Sequence, residues 1–144
     1  MTELTSIEPA ELKGCACDGY AQLEAYLAAR LGEVELVAVC RGVASGAEPA
    51  RGRTLPIVKG VESWHDVERA CERVHARPDR VLAIGATAPD AEVLGRAWVA
   101  VALRDAAPEA VSAASALTRW TASQGGLARL LDEVESLRRD SSSA

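Results

Sequence analysis

Three short apolar runs constrain the fold of this chain more than any other feature of its sequence. They are VELVAVC (34–40), RVLAIG (80–85) and WVAVAL (98–103). Nearly continuous apolar runs of this length are typical of strands that are buried on both faces, as in a parallel sheet. Parallel neighbours cannot be joined by a tight turn, so we expect a longer crossover segment between successive strands.

Helical patterns and weaker strands fill the remaining sequence. Apolar residues recur at helical spacing in five segments, at 20–31, 61–74, 90–96, 108–116 and 127–137. Weaker apolar runs predict three further strands, at 12–17, 55–60 and 117–120, the last of them an edge strand. Ser63 and Asp66 resemble a capping box at the start of the second helix. The alternation predicts an α/β fold of right-handed βαβ units, a three-layer sandwich with a mainly parallel sheet.

Length and composition restrict the class of protein. The 144 residues suffice for one domain, which we place at 12–137 between a flexible lead-in (1–11) and a disordered polar tail (138–144). The net charge of −5 does not fit a protein that binds nucleic acid or an anionic membrane. The polar start does not resemble a signal peptide, and no apolar run approaches the length of about 20 residues that a membrane span needs. We therefore expect a cytoplasmic protein.

The four cysteines are irregularly spaced and lie in a chain without an export signal. They are Cys15, Cys17, Cys40 and Cys71. Reduced thiols are therefore expected rather than disulfides. Cys15 and Cys71 fit buried core positions, whereas Cys17 and Cys40 are placed at the ends of neighbouring strands. Each of the latter two is interpreted either as a small buried apolar residue or as an activated thiol facing Asp18.

The second half of the chain resembles a known family in the order and spacing of its segments. The resemblance covers residues 57–137 and includes VKGVESW, RVLAIGATAPDAEVLG, WVAVALRDAAPEAVSAASALT and SQGGLARLL. It is to phosphatases of the haloacid dehalogenase superfamily, and within them to the capless phosphatases that act on 3-deoxy-octulosonate phosphate. The first half matches in outline, because LKGCACDGY resembles the first motif of the family and VELVAVCRG the second.

This resemblance implies a Rossmann-like sandwich without a cap domain. It also implies that the β-hairpin flap, which follows the first motif in these phosphatases, has been deleted. In the family the flap reaches a neighbouring subunit, so the usual tetramer is not carried over to this chain.

The catalytic residues of the family are mostly replaced in this sequence. The resemblance places the nucleophilic aspartate at Ala16, the acid/base aspartate at Asp18 and the phosphate-binding Ser or Thr at Cys40. It places the charge-neutralising lysine at Trp64, with Lys59 nearby. The magnesium-holding loop is placed at Ala86, Thr87 and Asp90, and only the last of these three is an acid.

These replacements carry a chemical consequence. Alanine at position 16 cannot attack a phosphoryl group, and magnesium prefers carboxylate oxygens that Ala16 and Ala86 do not supply. Without a metal ion or the lysine, little remains to stabilise charge on the transferred phosphoryl group. We expect no magnesium site, no other cofactor and no ordinary phosphatase activity. Asp90 is then interpreted as an N-terminal residue of its helix rather than as a metal ligand.

Three hypotheses for the function follow. The first is a pseudophosphatase that binds, scaffolds or stabilises a partner. The second is a repurposed enzyme that uses Asp18 with Cys17 or Cys40 in a metal-independent reaction on a small biosynthetic substrate. The third is residual phosphatase activity. An alternative for Asp18 is that the Asp-Gly pair simply forms a turn or caps a helix.

The expected partners are a second copy of the chain or another protein, and a small anionic ligand. Arg41, Arg51 and Arg53 lie in one Gly/Pro-rich segment that would receive such an anion or form a solvated loop. His65 and His75 are expected on the surface of their helix. The Gly-rich SQGGLARL segment is interpreted as structural, although it opens a helix and such a helix start is able to cradle an anion.

Overall fold

The computed structural model describes residues 7–9, 27–43 and 55–142. These residues form one six-stranded sheet with the order β1-β6-β5-β4-β2-β3. The strands are β1 (Ile7–Pro9), β2 (Leu36–Cys40), β3 (Ile57–Val61), β4 (Val81–Gly85), β5 (Val99–Ala102) and β6 (Ala116–Thr118). All neighbours pair in parallel except β1, which pairs antiparallel with β6.

Helices cover both faces of this sheet. They are α1, of which residues 27–31 are described, α2 (Trp64–Val74), α3 (Ala91–Arg96), α4 (Pro108–Ala113) and α5 (Gly126–Ser142). One core cluster joins α1 and α5 to the sheet, and a second joins α2, α3 and α4 to the opposite face. This arrangement confirms the predicted three-layer α/β sandwich with a mainly parallel sheet, and the described residues contain no cap domain.

The central strands β2 and β4 explain why their sequences are apolar throughout. All five residues of each strand are buried. Val37 and Val39 face the layer of α1 and α5, whereas Leu36, Ala38 and Cys40 face the layer of α2, α3 and α4. The second layer is rich in alanine and contains no Phe, so its core is built from small side chains.

Two expectations about the termini are wrong. Residues 7–9 of the expected flexible lead-in form strand β1, because Ile7 is buried, with 1% of its surface exposed, beside β6. Helix α5 continues to Ser142, into the expected disordered tail, since nothing in its polar last turns interrupts helical hydrogen bonding. Leu137 is its last buried apolar side chain.

The region before α5 also differs from expectation. The helix predicted at 108–116 ends at Ala113, because Ala114 has an extended backbone and Ala116 already begins β6. The strand predicted at 117–120 is therefore shifted to Ala116–Thr118. It is not an edge strand, since β1 pairs with its outer side.

The start of α2 uses different contacts from those predicted. Ser63 is the N-cap residue, but its side chain makes no capping hydrogen bond. The carboxylate of Asp66 accepts a hydrogen bond from the backbone N–H of Glu62 at 3.0 Å instead of that of Ser63. The predicted strand at 12–17 and the predicted absence of a flap concern residues outside the described ranges.

Candidate functional site

The predicted site lies where the central parallel strands end. The register pairs Val39 of β2 with Ile84 of β4, so Cys40 and Gly85 end adjacent strands at the same edge of the sheet. The loop that follows β4 turns through a short 3-10 helix, Ala88–Asp90, into α3. Ligands of open α/β folds bind at this edge, so the geometry of this loop decides what chemistry is available.

The carboxylate of Asp90 is directed into the loop that carries it. Its Oδ2 accepts hydrogen bonds from the backbone N–H groups of Ala86 and Thr87, both at 2.9 Å. Asp90 is buried, with 5% of its surface exposed, so these bonds replace the water that the charge has lost. The interpretation of Asp90 as a residue of the helix start agrees with these contacts.

The turn after β2 packs directly against this loop. A Cβ atom at Gly42 would overlap the side-chain oxygen of Thr87 and Oδ2 of Asp90. Only glycine therefore fits between β2 and the Asp90 carboxylate. The Gly42 backbone therefore lies close to Oδ2 of Asp90.

Cys40 is a buried thiol at the end of β2. Its exposed fraction is 1%, and it packs among the residues that face α2, α3 and α4. Burial, and to a smaller extent the nearby charge of Asp90, raises the pKa of Cys40 to about 12. The thiol is therefore protonated at neutral pH, which favours the packing interpretation over the activated nucleophile. Cys71 is likewise buried, and burial followed by the charges of Glu35 and Glu68 raises its pKa.

The prediction that the strand ending at Cys17 lies next to the strand ending at Cys40 is wrong. Strand β2 is hydrogen-bonded to β3 on one side and to β4 on the other. No further strand fits beside β2 in this sheet, because each strand has only two edges. Ala16, Cys17 and Asp18 themselves lie outside the described residues.

The loop after β4 offers a magnesium ion a single carboxylate, that of Asp90. The side chain of Ala86 packs against the apolar core, and the inward Oδ2 of Asp90 is held by two N–H groups. Within residues 7–9, 27–43 and 55–142, no group of three or more His, Cys, Asp or Glu side chains could hold a metal ion.

The loops after β5 and β6 are joined by internal hydrogen bonds as well. The hydroxyl of Thr118, which is fully buried, accepts from the backbone N–H of Arg104 at 3.0 Å and donates to the carbonyl of Trp120 at 2.6 Å. The Nε of Arg104 donates to the carbonyl of Thr118 at 3.0 Å. These bonds stabilise the edge of the sheet, and the side chains that make them are not directed at a ligand.

The arginine, histidine and tryptophan residues singled out from the sequence do not gather around the loop after β4. Arg41 is exposed and forms an ion pair with Glu62, while Arg51 and Arg53 lie outside the described residues. His65 and His75 are exposed, as predicted. Trp64 is half-buried against the α2 layer, which fits a packing role.

The predicted structural role of the glycine-rich segment agrees with its packing. Gly125 has a positive φ of 81°, and a Cβ at Gly126 would overlap the carbonyl of Trp120. Lys59 is exposed on β3, away from the loop after β4.

A concave groove that the sequence analysis missed lies between β3 and α2. Its volume is about 280 Å³, and Lys59, Arg69 and Arg73 are among the residues that line it. The signal was present in the sequence, since Arg69 and Arg73 are spaced by one helical turn on the side of α2 beside β3. It was not recognised because charged residues on a helix usually form a solvated face.

Comparison with known proteins identifies the fold. The model of a family described as haloacid dehalogenase-like hydrolase matches residues 57–131, which is just over half of the chain. A search of curated proteins finds no match.

Solved structures share the fold at low sequence identity. A putative hydrolase of the same superfamily, subfamily III A, from Legionella pneumophila has a TM-score of 0.66 and 14% identity, covering 84% of this chain and 92% of its own. A hypothetical protein from Xanthomonas campestris has a TM-score of 0.63 and 16% identity, covering 92% and 93%. A 3-deoxy-D-manno-octulosonate 8-phosphate phosphatase from Moraxella catarrhalis, in complex with a magnesium ion, a phosphate ion and a KDO molecule, has a TM-score of 0.62 and 10% identity, covering 80% of this chain and 93% of its own.

Proposed function

The chain belongs to the haloacid dehalogenase-like hydrolase family, and we propose that it is a pseudophosphatase, a member that binds a ligand or a partner without transferring a phosphoryl group. The observation that carries the proposal is the hydrogen bonding and packing of the Asp90 carboxylate. Its inward oxygen accepts from the two N–H groups of its own loop, and Gly42 packs against it.

The replaced residues support the same proposal. Ala86 stands where the family resemblance places the first magnesium-holding aspartate, and its methyl group packs against the core. The strand beside β4 is β2, which ends in Cys40, so the neighbouring strand end supplies no carboxylate either. A phosphatase of this type stabilises its transition state mainly by electrostatics. In the proposed pseudophosphatase both the metal ion and the attacking carboxylate are missing.

The buried thiol gives no support to the alternative of a repurposed enzyme. A catalytic cysteine acts as a thiolate, whereas the raised pKa of Cys40 keeps it protonated at physiological pH. The roles proposed from sequence for Asp18 and Cys17 depend on residues outside the described ranges. We keep the cytoplasm as the proposed compartment, and the two described cysteines, Cys40 and Cys71, are free.

The binding function is proposed to act through polar rather than apolar contacts. Among the described residues the only exposed large hydrophobic side chain is Val74, with 43% of its surface accessible. An isolated apolar side chain does not form a docking surface. No helix among these residues is long and apolar enough to cross a bilayer. A second copy of the chain or another protein remains a proposed partner, to be tested by the mass of the protein in solution.

The test is a phosphatase assay on the purified full chain with magnesium and a panel of phosphate monoesters. We expect no hydrolysis above the buffer rate. Magnesium-dependent turnover that survives repurification would refute the proposal and favour residual phosphatase activity. A double variant, Ala16→Asp with Ala86→Asp, introduces acids at the two positions where the family resemblance places them. We expect it to stay inactive, because Gly42 still packs against Asp90; gained activity would show that the cleft is open and that the acids alone were lost.

A further inference from the structure

The groove between β3 and α2 is cationic, and none of the residues that line it belongs to the loop after β4. Its volume is about 280 Å³. Lys59, Arg69 and Arg73 line it, together with the single carboxylate of Asp66. Val58 and Val61 supply its apolar part. A concave space with a few convergent charged groups is able to hold a small anion.

The charges at the ends of α2 complement its dipole, with Asp66 in the first turn and Arg73 in the last, but its two arginines repel each other. Arg69 and Arg73 are four residues apart, a spacing at which like charges destabilise a helix by a few tenths of a kcal/mol. Both are exposed, and neither forms an ion pair within the described part of the chain. Glu68 and Glu72 repeat the same spacing one position earlier, and neither lines the groove. An anion between the arginines would relieve their repulsion.

The carboxylate in the groove already has a structural partner. Asp66 accepts the backbone N–H of Glu62 and thereby holds the start of α2. It lies in the first turn of the helix, three residues before Arg69. Its charge is therefore partly engaged at one end of the groove and does not neutralise both guanidinium groups.

The shape of β3 favours a small ligand over an extended peptide. Ala38 pairs with Val58 and Cys40 pairs with Val61, so β3 contains one extra residue, a β-bulge. Gly60 in this bulge has a φ of 68°, and a Cβ there would contact nothing within 4 Å, so glycine is needed for the backbone rather than for space. A bulge and an outward lysine are features that prevent strand addition at a sheet edge.

We infer that this groove binds a small phosphorylated anion, a phosphate monoester or inorganic phosphate, between Arg69 and Arg73. The planar guanidinium group matches the oxygens of phosphate and forms charge-assisted hydrogen bonds with them. The inference rests on the proposed binding function, and it assigns that function to the edge of the sheet instead of the inherited cleft.

The test is calorimetric titration of the full chain at low ionic strength with inorganic phosphate and with glycerol 3-phosphate, and with glycerol as the uncharged control. We expect both phosphates to bind and glycerol not to bind. The double variant Arg69→Gln with Arg73→Gln should bind at least about tenfold more weakly, because each lost charge-assisted hydrogen bond costs about that factor. A preference for glycerol 3-phosphate over inorganic phosphate would identify an ester as the ligand.

A second double variant separates a site from general electrostatics. Arg96→Gln with Arg139→Gln removes the same charge from exposed positions on α3 and α5. We expect its affinity for phosphate to stay within about twofold of the wild type, since exposed distant charges are screened. Equal losses in both double variants, or no binding by the wild type, would overturn the inference.

Three further outcomes distinguish a failure of this inference from a failure of the proposed function. A glutamate-rich peptide that binds this groove more tightly than either phosphate would identify a protein partner and overturn the small-ligand assignment. Magnesium-dependent hydrolysis of glycerol 3-phosphate with unchanged binding in Arg69→Gln/Arg73→Gln would refute both. Hydrolysis together with the expected loss of binding would refute the pseudophosphatase alone.

Discussion

The loop after β4 and the groove beside β3 both carry charged side chains, but they differ in where the hydrogen bonds of those side chains go. In the loop, the inward oxygen of the buried Asp90 carboxylate binds two N–H groups of the protein itself. In the groove, Arg69 and Arg73 are exposed and form no ion pair with a described residue. Charge at the first site stabilises the fold, whereas charge at the second is available to an external anion.

The difference shows that the position of a loop and the chemistry of its side chains are separate properties. The strand, Gly85 and the following helix remain at the edge where related folds bind ligands. A Cβ at Gly85 would come within 2.9 Å of both Asp90 and Leu94, so close packing alone explains the glycine. A loop that resembles a catalytic loop is therefore kept here by packing and backbone hydrogen bonding.

The largest effect is expected from removing the Asp90 carboxylate. Asp90→Ala leaves the N–H groups of Ala86 and Thr87 without their acceptor, and we expect a loss of about 3 kcal/mol in the free energy of unfolding. Asp90→Asn keeps an acceptor and should lose less. Chemical denaturation measures both values.

Asp105→Ala is the control, because Asp105 is exposed on the loop after β5. We expect it to change the free energy of unfolding by no more than about 0.5 kcal/mol. An Asp90→Ala variant as stable as this control would contradict a structural role for Asp90 and reopen the loop as a ligand site.

The next effect is expected from filling the space at Gly42. Gly42→Ala forces the new methyl group against Thr87 and Asp90, and we expect a destabilisation of about 2 kcal/mol. Gly95→Ala, in α3, is the matched control because a Cβ there contacts nothing within 4 Å. It should stabilise the protein by up to about 1 kcal/mol, since alanine is the better helix former. Equal effects of the two substitutions in thermal or chemical denaturation would show that the Gly42 turn is not packed as described.

A smaller, pH-dependent effect is expected from Cys40. Its pKa is raised from 9.0 to about 12 in the folded protein, so its contribution to stability is complete below pH 9 and is lost as the pH rises towards 12. One pH unit above 9 should cost about 1 kcal/mol through this thiol.

Comparison of the wild type with Cys40→Ala isolates this contribution, since the remaining cysteines titrate in both proteins. The quantity to measure is the change in the free energy of unfolding between pH 8 and pH 10. A change of the same size in both proteins would contradict the burial of an un-ionised thiol at this position.

The smallest effect on stability is expected in the groove. Arg69→Gln with Arg73→Gln should change the free energy of unfolding by no more than about 0.5 kcal/mol, because both side chains are exposed and unpaired within the described residues. Denaturation curves of this variant and of Asp90→Ala give the contrast directly. A large loss of stability in the arginine variant would mean that the groove, like the loop, is a structural feature.

The central strands of the sheet were predictable because they are buried on both faces, and such strands have continuously apolar sequences. Val81–Gly85 and Val99–Ala102 are buried along their whole length, so their pattern is unambiguous. Strand β1 was not predictable in the same way. It has three residues, Ile7–Pro9, and it is defined by pairing with β6 more than 100 residues away, which no local pattern records.

The candidate site was predictable in position but not in contacts. The turn at Gly85 and the helix start at Asp90 follow from local sequence. The hydrogen bonds of Asp90 and the packing of Gly42 against it depend on the distance between two loops that are separated by more than 40 residues. The groove depends on the side of α2 that faces β3, and the sequence alone does not reveal that a bulge at Gly60 opens the space there.

The most direct test of the account is the mapping of phosphate on the protein by NMR. Titration of the ¹⁵N-labelled full chain with inorganic phosphate, with and without magnesium, reports which backbone N–H signals shift. The account predicts that the shifts are centred on Lys59, Gly60, Arg69 and Arg73 and do not depend on magnesium. Magnesium-dependent shifts centred on the loop from Gly85 to Asp90 would contradict it.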